Sequence, residues 1–283
     1  MEEANGRKVD LVITTKFPTY AVKHSNKVTW LVHQHRYAYD LFDNEYGLIH
    51  YPDGAEIRKM IYNIDNQTLP ESKEIYTISK NISSRLLRYN NINSTPLYHP
   101  PKLAERLCCE DYGDYILSIG RLDSLKRLDL LVNAIKYCDK NIKALIAGEG
   151  NDMEGLKQLA CRLQVDDRVK FLGYVSDDEV INLYANCFAV YFAPFNEDYG
   201  YVSIESFLSK KPVITSNDSG GVLEFVRNDE NGCVSSPKPE EIAKNINRLY
   251  SDKKLCREFG INGYGIVKDF TWDNAIEKLT RTL

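Results

Sequence analysis

None of the seven cysteines stands in a C-x-x-C pair, so neither a zinc ribbon nor a dithiol redox motif is encoded. The expected state is reduced, mostly buried thiols in a cytoplasmic protein. No histidine follows His99, which confines any histidine chemistry to the N-terminal third. No apolar run reaches the length of a membrane span, and no secretory signal precedes the first strand-like run. A net charge of -4 gives no general attraction to nucleic acid or to anionic lipid. What is present is ordinary for a folded protein: 43% hydrophobic and 27% charged residues, in a length of 283 that allows two domains.

From Tyr115 onward, short apolar runs alternate with amphipathic ones. Strands are expected at Tyr115–Ile119, Ala144–Ala147, Val169–Leu172, Phe188–Phe192, Pro212–Thr215 and Gly232–Val234. Helices are expected at 128–137, 153–163, 177–186, 201–208 and 239–250, and Ser176 with Glu179 has the spacing of a capping box. Continuous apolar strands alternating with helices imply an α/β protein whose parallel sheet is covered on both faces. Ligands of such sheets bind beyond the carboxyl ends of the strands. Gly120, Gly148, Gly173 and the loop at Glu197 all fall at those ends and should converge.

The segment 195–205 is the richest in chemistry. It runs from a strand through a short loop and Gly200 into a helix start, a common way to hold phosphate. Glu197 and Glu205 flank that turn, and carboxylates suit a ligand with hydroxyls as well as phosphates, as a sugar nucleotide has.

The first hundred residues are less regular. Strands are expected at 10–15, 28–33 and 74–79, a helix at 81–89, and a last short strand with the start of a linker within Pro96–Pro101. The prolines and the polar run to Asp114 mark a domain boundary. The expected division is 1–105 for an N-terminal domain and 106–269 for a C-terminal one, with a closing helix at 270–283 packing back on the first.

In this order these pieces resemble the family 4 retaining glycosyltransferases of the GT-B fold. The resemblance is carried by Ser118-Ile119-Gly120-Arg121 with Lys126-Arg127, Ala147-Gly148-Glu149-Gly150, Phe171-Leu172-Gly173-Tyr174-Val175, the Glu197-to-Glu205 segment, and Ser219-Gly220-Gly221 with Glu224. Trp30-Leu31-Val32-His33-Gln34-His35-Arg36 and Ser79-Lys80-Asn81-Ile82-Ser83 extend it into the N-terminal part. The resemblance implies two Rossmann-like domains facing across a cleft, the C-terminal one binding a nucleoside-diphosphate sugar, UDP or GDP being the expected carrier. It implies transfer to an acceptor hydroxyl with retention and without metal or cofactor. The absence of any D-x-D agrees with that last point.

Each implied role has an ordinary structural reading beside it. Arg121 and Lys126 would bind the two phosphates, where fixed cations stabilise the leaving group; a solvated loop before a helix would also carry them. Glu197 would accept from the donor-sugar hydroxyls and Glu205 from the ribose. Otherwise Glu197 is a surface carboxylate and Glu205 a first-turn helix residue favoured by the dipole. Gly200, Tyr201 and Val202 would offer backbone N–H groups to the distal phosphate. Tyr174 and Val175 would flank the base or belong to an ordinary loop, with Gly120 and Gly173 counted among the donor-binding residues; Gly148 and Gly150 would serve a tight turn, and Glu149 would lie near the nucleotide without a catalytic role. His35 would face the transferred sugar, with His33 as a competitor that could be buried in its strand. Lys16 and Arg36 would meet an anionic acceptor or only solvent. The family mechanism keeps both bonds on one sugar face, the leaving phosphate helping to deprotonate the acceptor.

The N-terminal part is shorter than the family pattern, which opens with a strand, a glycine-rich turn and a helix. A naturally short form, one half of a split enzyme and a fragment of a longer chain all fit. An unprotected sheet edge would invite self-association or a partner chain. The acceptor is left open between a saccharide, a lipid-linked sugar and a small molecule, with peripheral membrane contact compatible with the second. Besides the transferase, a sugar-nucleotide epimerase or phosphorylase on the same fold and a non-catalytic donor-binding subunit stand as alternatives.

Overall fold

The structure, a computed structural model, describes residues 2–45 and 47–283. It divides into two compact units: one runs to His99 and also takes in Phe270–Leu283, and the other is Pro100–Asp269. The division comes six residues before the expected 105/106, because Leu103 and Leu107 are buried against Leu117, Tyr184 and Val190 of the second unit.

The N-terminal unit opens with a two-stranded antiparallel ribbon, β1 (Glu3–Ala4) and β2 (Arg7–Lys8). A four-stranded parallel sheet follows, in the order β3 (Val12–Lys16), β4 (Lys27–His33), β5 (Glu74–Thr77), β6 (Thr95–Pro96). β6 is two residues long, and the rest of Pro96–Pro101, expected to hold a short strand and the start of a linker, lies outside any strand. Prolines 96, 100 and 101 have no N–H to give to a ladder. Two helices accompany the sheet, α1 (Gly54–Thr68) and α2 (Lys80–Asn90). α2 starts where Ser79 Oγ accepts from Ile82 N at 3.1 Å. α1 is an unpredicted element, and its Asp65 is buried. The carboxylate accepts from Tyr20 Oη and Tyr39 Oη at 2.6 Å each, which ties two loops to the helix. Burial raises the Asp65 pKa, and the tyrosine bonds oppose the shift.

The C-terminal unit alternates strand and helix as far as β11: β7 (Tyr115–Ile119), α3 (Leu128–Ile135), β8 (Lys143–Ala147), α4 (Met153–Arg162), β9 (Val169–Gly173), α5 (Asp177–Asn186), β10 (Ala189–Tyr191), α6 (Tyr201–Leu208), β11 (Val213–Ser216), then β12 (Gly232–Ser235), α7 (Pro239–Ser251) and α8 (Lys253–Val267). The six strands are parallel in the order β12-β11-β10-β7-β8-β9. Neighbouring residues Ile116 and Leu117 of β7 enter different apolar clusters, so both faces are covered. The capping box at Ser176 and Glu179 is formed. The chain turns outward in both directions from β7 and β10. That switch point is where open α/β sheets hold ligands, at the carboxyl ends of the strands.

The last helix, α9 (Trp272–Thr280), is capped by Thr271, whose Oγ1 accepts from Asn274 N. Trp272 lies against His99 and Trp30, with ring centroids 5.3 and 6.0 Å away. His99 is buried under Trp30 at 4.8 Å, and burial pushes its pKa down to about 4. A base with a depressed folded pKa contributes stability above its unfolded value of 6.5, and that contribution is lost as pH falls toward 4. We therefore predict that His99→Phe loses less stability than the wild type between neutral pH and pH about 4.5, the window set by that shift. Urea melts at both pH values test this; equal losses would rule out a buried neutral imidazole. Among the described residues no helix is long and apolar enough to cross a membrane.

Candidate nucleotide site at the strand ends

The loops beyond β7, β8 and β9 are laid side by side by main-chain bonds. Gly120 N donates to Ala147 O at 3.0 Å, Leu122 N to Glu149 O at 2.9 Å, and Gly148 N to Gly173 O at 2.7 Å. Gly148 and Gly150 serve this nesting rather than a turn alone, which corrects the sequence expectation. A Cβ on Gly148 would stand 1.9 Å from Gly120 O, and one on Gly150 2.1 Å from Leu122 O. Above the nested loops lies an open hollow of about 470 Å³, lined by Ile119, Gly120, Arg121, Gly148, Glu149, Tyr174, Val175 and Val180. Its volume falls within the range of small-molecule sites. Tyr174 is 79% exposed at the rim. Glu149 lines the hollow as well.

On the β10 side, the chain past Tyr191 runs parallel to the chain past β11. Asn196 N donates to Asp218 O at 2.9 Å, Glu197 N to Ser219 O at 3.1 Å, and Gly221 N back to Glu197 O at 2.7 Å. Phe195 N donates to Leu125 O at 2.8 Å, joining this pair to the loop after β7. These bonds bring Lys126 and Glu197 together although 71 positions separate them. Lys126 Nζ lies 2.5 Å from Glu197 Oε2, with the two side chains 18% and 23% exposed. The ammonium is also 5.5 Å from the Phe192 ring centroid. Arg121 is different: its side chain is 83% exposed and only approaches Asp123, at 3.8 Å. It has room to swing toward an anion.

Gly200 begins α6 in the left-handed region, with φ 89°. The first-turn N–H groups of a helix have no partner within it, and α6 has no side-chain cap. Tyr201 is exposed and Val202 half-buried at that end. Glu205 is the fifth residue of α6, not a first-turn residue, so the dipole does not account for it. It is half-buried and accepts from Tyr184 Oη of α5 at 2.8 Å. Burial pushes its pKa up to about 7, against the lowering effect of the tyrosine bond. Burial and the Glu205 carboxylate raise the Tyr184 phenol well above its ordinary value.

In the N-terminal unit, His35 is half-buried just past β4, edge-on to Phe17 and Tyr37 at 6.2 and 6.3 Å. Its Nδ1 is buried with no hydrogen-bond partner among the described residues. His33 is exposed at the end of β4 rather than buried in it, its Nδ1 3.0 Å from Gln34 O. Lys16 is exposed. Arg36 is held by Asp40 at 2.6 Å, so solvation alone does not describe it.

Sequence reasoning missed Arg127, Tyr184 and Asp218 as parts of this site. Tyr184 and Asp218 gave no local signal, and Arg127 stood only as the neighbour of Lys126.

A family model described as "Glycosyl transferases group 1" matches residues 110–265, more than half of the chain and every C-terminal loop described above. The chain is similar to an uncharacterised glycosyltransferase of Methanocaldococcus jannaschii, 29% identical over 243 residues, which is 78% of this chain and 62% of that protein. It is also similar to human alpha-1,3/1,6-mannosyltransferase ALG2, 28% identical over 183 residues, 59% of this chain and 44% of the relative. The chain therefore spans about half the length of the curated relatives it matches. Among solved structures it resembles Anabaena Alr3699/HepE in complex with UDP and glucose, with a TM-score of 0.74 and 19% identity over 91% of this chain and 71% of that one. It also resembles WaaG, a glycosyltransferase involved in lipopolysaccharide biosynthesis, with a TM-score of 0.76 and 15% identity over 96% of this chain and 78% of that one. Likeness at that identity establishes the fold, and the α/β GT-B class expected from the sequence holds. With its family model covering more than half of the sequence, the chain belongs to the group 1 glycosyl transferases.

Proposed function

We propose that the C-terminal unit binds a nucleoside-diphosphate sugar, and that the protein transfers the sugar to an acceptor hydroxyl with retention of anomeric configuration, as a family 4 enzyme. The observation that carries this reading is the Lys126–Glu197 pair, held between the loops that leave β7 and β10 at the switch point of one sheet, with Arg121 lining the same cavity as Lys126. A UDP complex of a protein with this fold supports it.

In this reading the base lies in the hollow lined by Gly120, Tyr174 and Val175, with Gly173 at the end of β9 leading into it, and Glu205 accepts from the ribose hydroxyls. Arg121, Lys126 and the N–H groups of Tyr201 and Val202 take the diphosphate. As the sugar–phosphate bond breaks, negative charge grows on the leaving oxygen. A fixed ammonium in a partly buried site stabilises it without reorganisation and without a metal or cofactor. Glu197 then holds the sugar by its hydroxyls. The departing phosphate oxygen accepts the acceptor's proton, so no separate general base is required. His35 is the N-terminal candidate for a contact to the transferred sugar.

Calorimetry with UDP, GDP and ADP, followed by NMR of product from UDP- and GDP-sugars, tests the proposal. Binding of one nucleotide and product of retained configuration are expected. Binding without turnover toward water or any acceptor would instead indicate a donor-binding subunit that needs a partner chain. No binding of any of the three would remove the donor-site reading altogether.

A further inference from the structure

Arg127 follows Lys126 yet engages a different set of partners. Its backbone is left-handed, with φ 48° and ψ 46°, a region a residue with a side chain adopts only at a cost. Its guanidinium is 16% exposed and turned inward. Nε donates to Ala193 O at 2.8 Å, and Nη2 donates to Pro194 O at 2.9 Å and Ser216 Oγ at 2.6 Å. Nη1 and Nη2 grip the Asp218 carboxylate at 2.8 and 2.7 Å. Burial works to raise the Asp218 pKa, but the bonds from Arg127 and Ser216 outweigh it and hold it below its ordinary value. Tyr191 Oη donates to the Arg127 carbonyl at 2.9 Å.

These partners lie at or just past the ends of β10 and β11, while Arg127 belongs to the loop leaving β7. With so many donors engaged inside the protein, the side chain is not placed to meet a ligand phosphate. We propose that Arg127 is a positioning residue, a clamp across three strand-end loops that sets the Lys126 ammonium and the Glu197 carboxylate in register with each other. A planar fork is required: a lysine could keep the charge but cannot reach four acceptors in two loops from one nitrogen. The functional half of the proposal rests on the donor-site reading, because the clamp acts on Glu197 and Lys126 rather than on substrate.

The test uses the full chain with Arg127→Lys, Asp218→Asn, Glu197→Gln and the Arg127→Lys/Glu197→Gln double variant. The first readout needs no ligand. Amide hydrogen exchange at residues 195–197 should quicken about tenfold or more in Arg127→Lys and Asp218→Asn, with the rest of the unit protected as before, because local opening follows local contacts. Unchanged protection there overturns the clamp whatever the protein binds, and absent nucleotide binding by the wild type overturns only the donor-site reading. The second readout is turnover. Arg127→Lys should lower kcat by roughly 10–100-fold, the scale of a small misplacement, with KM little changed. In the Glu197→Gln background the same change should add little, since contacts acting through one group are not additive. Equal factors in both backgrounds, or a raised KM at unchanged kcat, would mean that Arg127 does not act through Glu197.

Discussion

Lys126→Ala should lower donor turnover by about 10²–10³-fold, the usual loss when one fixed donor to a developing negative charge is removed. The ammonium is partly screened from water, beside the Phe192 ring and the Glu197 carboxylate. A charge in such a place interacts more strongly than one in bulk solvent. Removing it also leaves Glu197 partly buried without its counter-ion, a cost that falls on the protein rather than on the ligand. Lys126→Arg keeps a cation and should recover part of the rate. Steady-state kinetics with the productive donor, beside calorimetry with its nucleotide, measure both. A Lys126→Ala enzyme with wild-type kcat would remove Lys126 from the mechanism, and with it the account of how a leaving diphosphate is stabilised here.

Glu205→Gln should abolish a pH dependence of nucleotide binding centred near pH 7. In the protein alone, burial raises the Glu205 pKa to about 7. The ionised carboxylate, an acceptor only, is the form that suits two ribose hydroxyls. Nucleotide affinity should therefore climb as pH rises through 7, by up to about tenfold per unit on the acid side, and level off above it. Binding should release protons near neutrality, which calorimetry in buffers of different ionisation enthalpy detects. The sign for stability is opposite. A carboxyl whose folded pKa is raised destabilises the folded state as pH rises from 4.5 through 7. Glu205→Gln should thus melt above the wild type at pH about 8 and level with it near the unfolded carboxyl pKa. A flat affinity profile in the wild type would dissociate Glu205 from the ribose.

Much of the C-terminal unit could be read from the sequence because most strands are short, largely apolar runs ended by Gly or a polar residue. Tyr115–Ile119 and Tyr201–Leu208 form as expected. The missed helices explain themselves physically. α8 carries Gly260, Gly263 and Gly265, which read as breakers. The first two are there because a Cβ would stand 1.9 Å from Lys210 O and 2.1 Å from the Phe207 ring. α1 buries only Gly54, Ile61 and Asp65, so its apolar stripe is too thin for periodicity to register. Within the candidate site, Arg121, Lys126 and Glu197 stood out as residue types in strand-end loops, and Glu205 as the second carboxylate of its segment, though in the second turn of α6 rather than the first. The Arg127 clamp was not: its acceptors are two main-chain carbonyls, a serine and an aspartate on loops that meet only after the sheet is formed. No spacing along one segment encodes such a meeting.

The nested glycines carry a consequence for how this site can be altered. Where Gly148 and Gly150 press against the backbone of residues 120–122, the floor of the hollow is main chain held by sheet register. Main-chain groups have no rotamers and are common to every residue type, so side-chain exchange along the floor leaves its hydrogen-bonding pattern in place, and adding a Cβ at either glycine disrupts the nesting itself. Variation is then channelled to the rim, to Arg121, Glu149, Tyr174 and Val175. A library confined to those four positions would explore ligand preference while leaving the scaffold of the floor intact.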